Sequence, residues 1–378
     1  MARTVGKLPF APPPTRRAQI HALRMEEARR GAAHAFSRSR SRMLLEPFSR
    51  KDLAAKTVTG AQVLFVNRDR SSWDGGDFVE MDGFRTALDK IGIQAPCASE
   101  VSSAATFPIY HLYNAAWPWT LSAAVEIWRR DRPYLVTPIY FPRFIHRIPE
   151  PSKVRAVLER ATALLVYSAR ERQVLTAEYP GLDGAVQFRI LTKGVDSSFQ
   201  GDLDADRPVE VLIAGSISPR KNQELVLQAC ERHGIVPTLA GPVLDAAYWS
   251  QCRKYRFNYA GNLSRAKLAD LYRQSRILVL ASTFDPMPNV ALEAALAGCK
   301  IVLTSQTYFE EFPGAFLCEP SSISSIADAI SNAVEAPLTD ESQKYVQDNF
   351  DWARAAEALS KMYDELAHKT WFTPPQSL

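Results

Sequence analysis

The chain has 378 residues, of which 46% are hydrophobic and 23% charged, which suits a globular protein with more than one core. No apolar run approaches the roughly 20 residues that span a bilayer, and no apolar core followed by a cleavage site opens the chain, so a cytoplasmic protein is expected. The five cysteines (Cys97, Cys230, Cys252, Cys299, Cys318) and six histidines fall at no metal-ligand or redox spacing, which argues against zinc, disulfide and dithiol chemistry.

The net charge of +4 is unevenly spread. Residues 1–56 hold thirteen Lys/Arg against four acids, a balance of +9, so the rest of the chain carries −5. This stretch reads as a basic N-terminal extension. Pro9, Pro12, Pro13 and Pro14 discourage regular structure at its start, and 16–36 fits a basic helix. Such an arm reads as a solvated, partly disordered segment or, equally, as a contact to an anionic membrane surface or a nucleic acid, with the protein cytoplasmic or peripheral to a membrane. A cleaved presequence fits less well, because Glu26 and Glu27 interrupt it.

From residue 61 short apolar runs alternate with helical stretches. Strands are expected over 62–66, 107–112, 134–137, 164–167 and 188–191. Helices are expected over 78–90, with Asp77 placed to cap it, and over 154–160 and 169–178. A polar stretch with four aspartates, 194–207, reads as a linker. The rhythm then restarts with strands at 209–214, 236–240, 277–280 and 300–304. Helices lie between them at 223–232, 265–274 and 289–297, and an amphipathic helix over 352–366 closes the chain. This alternation predicts an α/β protein of two doubly wound, Rossmann-like domains facing a cleft. The domains are expected at 57–198 and 199–350, with 351–378 as a C-terminal helix crossing back to the first. Ligands of such sheets bind beyond the carboxyl ends of the strands.

Three segments carry candidate chemistry. In 280–298 a strand runs into Asp285-Pro286-Met287-Pro288, and a helix opens near Asn289 and Val290 and stops at Gly298. The helix N-terminus suits a phosphate, and Glu293, one turn in, is placed to accept hydroxyl donors. The same spacing equally suits two acids that only complement the helix dipole. In 214–222 a strand ends at Gly215, Ser216 follows, and Lys221 begins a helix one loop later. Arg220 and Lys221 offer cations to a diphosphate. As a loop cation Lys221 is expected to add little to stability. Directly after the first strand, Gly75, Gly76 and Asp77 form a glycine loop ahead of a helix, though a plain tight turn explains it nearly as well.

Taken in order, these segments resemble the retaining, metal-independent glycosyltransferases of the two-Rossmann GT-B fold, of the family-four type. The resemblance runs from about residue 61 to 366. Its landmarks are the pair Gly75-Gly76, the His-x-x-Asn stretch of His111 and Asn114, and Leu165-Val166-Tyr167-Ser168. They continue with Lys193-Gly194-Val195-Asp196, Lys221, the turn at Tyr259-Ala260-Gly261-Asn262, the acids Asp285 and Glu293, and Phe350-Asp351-Trp352. Gly-Gly-Asp, His-Leu-Tyr-Asn and Thr-Pro-Ile-Tyr look most like transferases of bacterial surface-polysaccharide pathways.

The resemblance implies a nucleotide-sugar donor as substrate, with no cofactor and no metal, and a saccharide or lipid-linked acceptor. Lys221 and Arg220 would hold the diphosphate, Glu293 the ribose, and Asp285 would contact the sugar or order its loop. Gly215, Ser216, Asn262, Met287, Pro288, Asn289 and Val290 would line the donor. Gly75, Gly76, Asp77, His111 and Asn114 would face the acceptor. Departures are Asp285 where Glu is usual, Ser216 where Arg is frequent, and Pro138-Ile139-Tyr140 where a His often stands. They leave open an epimerase or phosphorylase of the same fold, a non-catalytic relative, or a transferase acting on nucleic acid.

Overall fold

Strands buried on both faces set the topology. The computed structural model describes residues 63–68, 75–101, 107–142 and 151–368, all in one structural unit. The basic extension over 1–56 and the start of the glycine loop lie outside these residues. The first half runs β1 (Val63–Val66), α1 (Gly76–Lys90), β2 (Cys97–Ala98), β3 (Ile109–Tyr113), α2 (Pro118–Trp128), β4 (Tyr134–Thr137), α3 (Pro151–Glu159), β5 (Ala163–Val166), α4 (Ala169–Glu178), α5 (Leu182–Ala185) and β6 (Gln187–Ile190). Its six strands are parallel, in the order β2-β1-β3-β4-β5-β6. Every residue of β1, β3, β4 and β5 is buried, as expected of parallel strands covered by helices on both faces.

The second half runs β7 (Val209–Ala214), α6 (Gln223–Arg232), β8 (Thr238–Ala240), α7 (Ala246–Cys252), β9 (Asn258–Gly261), α8 (Arg265–Arg273), β10 (Ser275–Leu280), α9 (Asn289–Leu296), β11 (Lys300–Thr304), β12 (Phe316–Cys318), α10 (Ile323–Glu335), α11 (Glu341–Asn349) and α12 (Trp352–His368). The strand order is β12-β11-β10-β7-β8-β9, again all parallel. The order reverses between β7 and β10, so a crevice is expected beyond the carboxyl ends of those two strands. The two doubly wound sheets expected from the sequence are therefore present.

The chain's last helix belongs with its first half. Ala355, Ala356, Leu359, Tyr363 and Leu366 of α12 share a core with Met81, Phe84 and Leu88 of α1. Trp352 meets Phe84 edge-on at 5.1 Å. Gly83 and Gly194 make room for that indole, since a Cβ there would lie 2.1 and 2.4 Å from it.

The polar stretch read as a linker is pinned rather than loose. The Val195 N–H donates to the Phe350 carbonyl at 3.0 Å, and the Gly201 N–H to that of Leu296 at 3.2 Å. Arg207 is buried and donates to the carbonyls of Ser275 at 2.9 Å and Ala297 at 2.8 Å. Two of the aspartates close turns, Asp196 accepting from the Ser198 N–H at 2.8 Å and Asp202 from that of Asp204 at 3.0 Å.

Glu171, in the first turn of α4, ties two loops of the first sheet together. Fully buried, it accepts the backbone N–H of Tyr140 at 3.0 Å and of Tyr167 at 2.8 Å. Burial raises its carboxyl to about 7, against the lowering effect of those donors. The folded state therefore holds this proton more tightly than the unfolded chain. The resulting stabilisation is full below the ordinary value of 4.5 and is lost as pH rises through about 7. Between those limits the loss should reach up to about 3 kcal/mol. Glu171→Gln, neutral throughout, should be less stable overall but flatter with pH in urea melts. An unchanged slope would remove Glu171 as its source.

Candidate functional site

At the carboxyl edge of the second sheet a glycine with positive φ ends or directly follows each of three neighbouring strands: Gly215 at 137° after β7, Gly241 at 141° after β8 and Gly261 at 81° closing β9. The Gly215 N–H donates to the Ala240 carbonyl at 2.9 Å, and the Gly241 N–H to that of Gly261 at 2.8 Å. A Cβ on Gly241 would lie 2.1 Å from the Gly215 oxygen, so the strand ends meet backbone to backbone. The result is a floor without side chains. The carbonyl of Ser216 accepts from Gln223 Nε2 at 2.9 Å. Tyr259 reaches the Gly241 carbonyl through its hydroxyl at 2.8 Å, and Asn262 is exposed beside it.

The cations stand next to this floor. Lys221 does not open a helix. It ends a 3₁₀ turn (Pro219–Lys221), and Asn222 follows at φ 60° before α6 begins. Asn222 Nδ2 donates to the carbonyls of Ala281 at 2.9 Å and Pro320 at 2.8 Å, and the Thr283 N–H donates to the Arg220 carbonyl at 2.9 Å. These bonds dock the turn after β7 onto the loop after β10. The Lys221 ammonium is thereby hydrogen-bonded to Asp285, with Arg220 Nη1 3.5 Å from the same oxygen. Burial lowers the pKa of Lys221 and Asp285 opposes this. Burial alone would raise the Asp285 carboxyl, but the two cations hold it below its usual range.

Beyond Asp285 the two prolines shape the start of α9. The Pro286 carbonyl accepts from the Tyr308 N–H at 2.7 Å and from Thr307 Oγ1 at 3.0 Å. Pro288 is the N-cap and offers no side-chain acceptor, so the first N–H groups of α9 are left for an outside acceptor. Asn289 Nδ2 donates to the Gly76 carbonyl at 3.0 Å, reaching the other half of the chain. Glu293 is buried. Arg265 Nη2 lies 3.0 Å from one of its oxygens, and the Tyr272 hydroxyl donates to the other at 3.3 Å. Burial raises its carboxyl, with Arg265 opposing. Neither Arg265 nor Tyr272 was legible as a partner of Glu293, because α8 comes to it only through packing against α9.

On the facing edge of the first sheet, Gly75 is the N-cap of α1 with extended backbone. Asp77 is not the cap. It sits one residue inside the helix, where it pairs with Arg68 Nη2 at 2.9 Å and accepts from Asn67 and Asn114 Nδ2, both at 3.1 Å. Asn114 lies just past β3 at φ 61°. His111 does not join this group, which corrects its assignment to the acceptor side. It is fully buried, with Nδ1 2.9 Å from the Tyr363 hydroxyl and Nε2 2.7 Å from Thr137 Oγ1, and burial lowers its pKa to about 3. The reason is the strand itself: His111 lies within β3 and faces α12, whereas Asn114 stands beyond the strand end.

Among the described residues, no cluster of three His, Cys, Asp or Glu side chains is placed to share a metal ion. No described helix is long and apolar enough to cross a membrane. A separate hollow of about 500 Å³ is lined by Arg172, Asp183, Phe188 and Arg189 and shares no residue with the groups above.

With this geometry in place, comparison with known proteins is informative. Residues 208–336, which hold the glycine floor, both cations and Glu293, match the family described as glycosyl transferases group 1. Sucrose-phosphate synthase from Thermosynechococcus elongatus superposes with a TM-score of 0.69 at 15% identity, over 81% of this chain and 99% of that one. The Anabaena protein HepE in complex with UDP-glucose superposes with a TM-score of 0.65 at 14% identity, over 80% and 99%. The fold is GT-B. Glycogen synthases from two strains of Mycobacterium tuberculosis are 24% identical over 243 residues, 58% of this chain and 58% of theirs. The chain thus spans less than two thirds of the length of these curated relatives.

Proposed function

We propose that the chain is a glycosyltransferase that takes a sugar from a nucleotide-sugar donor seated in its second half. One observation carries the reading. Lys221, Arg220 and the uncapped start of α9 converge beside the side-chain-free floor at Gly215 and Gly241, within the stretch that matches the glycosyl transferase family. Two cations and a helix N-terminus suit a diphosphate, and HepE, of the same fold, was crystallised with UDP-glucose. In this reading a donor diphosphate competes with Asp285 for Lys221. As the glycosyl–phosphate bond breaks, charge grows on the departing diphosphate, and Lys221, Arg220 and the α9 N–H groups stabilise it without reorganising. Transfer proceeds with retention, by attack on the face the diphosphate leaves. The acceptor is a saccharide or lipid-linked saccharide held near Gly75, Gly76, Asp77 and Asn114, and residues 1–56 draw the enzyme to an anionic surface.

The test is turnover of a panel of UDP-, GDP- and ADP-sugars with an acceptor screen. Activity on one donor class should survive a chelator, because protein cations face the diphosphate. Loss restored by Mg²⁺ or Mn²⁺ would contradict metal independence. Glu293→Gln weakens acceptance from ribose hydroxyls and should reduce donor affinity by about 1.5–3 kcal/mol in calorimetry. Unchanged affinity would leave Glu293 as a charge that only holds Arg265 and Tyr272.

A further inference from the structure

Lys193 lies in the loop after β6, and its ammonium is buried between the two halves. It donates to the Met287 carbonyl at 2.6 Å, lies 3.4 Å from Glu80 Oε2 of α1, and sits 5.2 Å from the ring centre of Tyr167. Tyr167 in turn donates to the same Glu80 oxygen at 2.7 Å. Both members of the pair are 3% exposed, and the other Glu80 oxygen has no hydrogen-bond partner. Stability is a poor explanation for this arrangement. A buried ion pair seldom outperforms apolar side chains of the same volume, and an unpartnered carboxylate oxygen adds to its cost.

Position explains it better. Met287 stands between Pro286 and Pro288, which have no N–H to give, so beyond Asp285 the loop is held through the carbonyls of Pro286 and Met287. The Pro286 carbonyl is fixed from within the second half, by Thr307 and Tyr308. The Met287 carbonyl is fixed by Lys193, and Lys193 is fixed by α1 of the first half. The residue that follows Met287 is the N-cap of α9. We propose that Lys193, steadied by Glu80, is a positioning residue that sets the N-terminus of α9 and makes the diphosphate site competent only when the two halves are together. The link to the diphosphate rests on the donor reading above; the positioning of α9 does not.

The experiment compares wild type, Lys193→Met, and Lys193→Met/Glu80→Gln by melting temperature, hydrogen exchange and nucleotide titration. Lys193→Met alone should lower the melting temperature, because it strands the Glu80 carboxylate. The double variant should recover most of it. Amides of 292–294 and of Tyr308 should nonetheless exchange at least tenfold faster in the double variant. Affinity for whichever of UDP, GDP or ADP the wild type binds should fall at least tenfold. A purely structural pair would recover all three readouts together, so wild-type exchange in the folded double variant overturns the proposal. Should the Lys193 variants not fold, Glu80→Gln alone keeps the Tyr167 contact. It should speed the same amides several-fold, and no change there overturns the proposal equally. If the wild type binds none of the three nucleotides, the donor reading fails, and the exchange data still decide the role of Lys193.

Discussion

Lys221→Ala should lower donor turnover by roughly 10²–10³-fold, the usual effect of removing one preorganised group that stabilises a developing anion. It should also cost stability, which the sequence did not suggest. Lys221 and Asp285 are only 12% and 10% exposed, so deleting the lysine leaves a buried carboxylate held by Arg220 at 3.5 Å and the Ser282 hydroxyl at 3.3 Å. Opening a buried pair costs about 3–5 kcal/mol, and the remaining arginine places this case near the lower end. Lys221→Ala/Asp285→Asn separates the two effects. Its melting temperature should return towards wild type while turnover stays low. A folded Lys221→Ala protein with near-wild-type turnover would take Lys221 out of the site.

Gly241→Ala should weaken nucleotide binding about 100-fold. The added Cβ would lie 2.1 Å from the Gly215 oxygen and 2.6 Å from its carbonyl carbon, both backbone atoms that cannot swing aside. The φ of 141° is also one that L side chains rarely adopt. Backbone strain of about 1–3 kcal/mol combined with overpacking of similar size must be relieved by moving a strand end. That movement breaks the floor beside Lys221, and an affinity loss of about 100-fold is expected. Gly234→Ala is the control. It too has positive φ, at 68°, but its Cβ would meet nothing within 4 Å, so it should cost some stability and leave nucleotide affinity unchanged. Equal affinity in Gly241→Ala and wild type would reduce the three strand-end glycines to ordinary turns.

Much of the architecture was legible because buried parallel strands are uninterrupted apolar runs. The expected strands at 134–137, 209–214 and 300–304 and the helices at 169–178 and 223–232 match in full. The missed strands carry weaker patterns. β2 has two residues, β12 has three, and β9 lies at a sheet edge and is mostly exposed, with no apolar run to mark it. Of the missed helices, α2 opens on Pro118 between two tryptophans, whereas α10 carries a regular apolar face at Ile326, Ala327, Ile330 and Ala333 and was legible in the sequence.

The site divides in the same way. Lys221, Arg220 and Asp285 each follow a strand of the second sheet, so position after a strand end marked them, and the resemblance supplied their roles. The partners that hold the site together are 113 residues apart for Lys193 and Glu80, and 94 for Lys193 and Met287. Only the packing of one half against the other brings them into contact. His111 stands apart for a local reason: it lies inside the strand expected at 107–112, and its ring is taken up by Tyr363 and Thr137.

The most direct test of the central claim is a calorimetric titration of the full chain with UDP, GDP and ADP, each repeated on Gly241→Ala and on Lys221→Ala/Asp285→Asn. The account predicts that one nucleoside diphosphate binds the wild type without added metal, and that both variants lose most of that affinity while remaining folded. Binding that survives in both variants, or no binding of any of the three to the wild type, would contradict it.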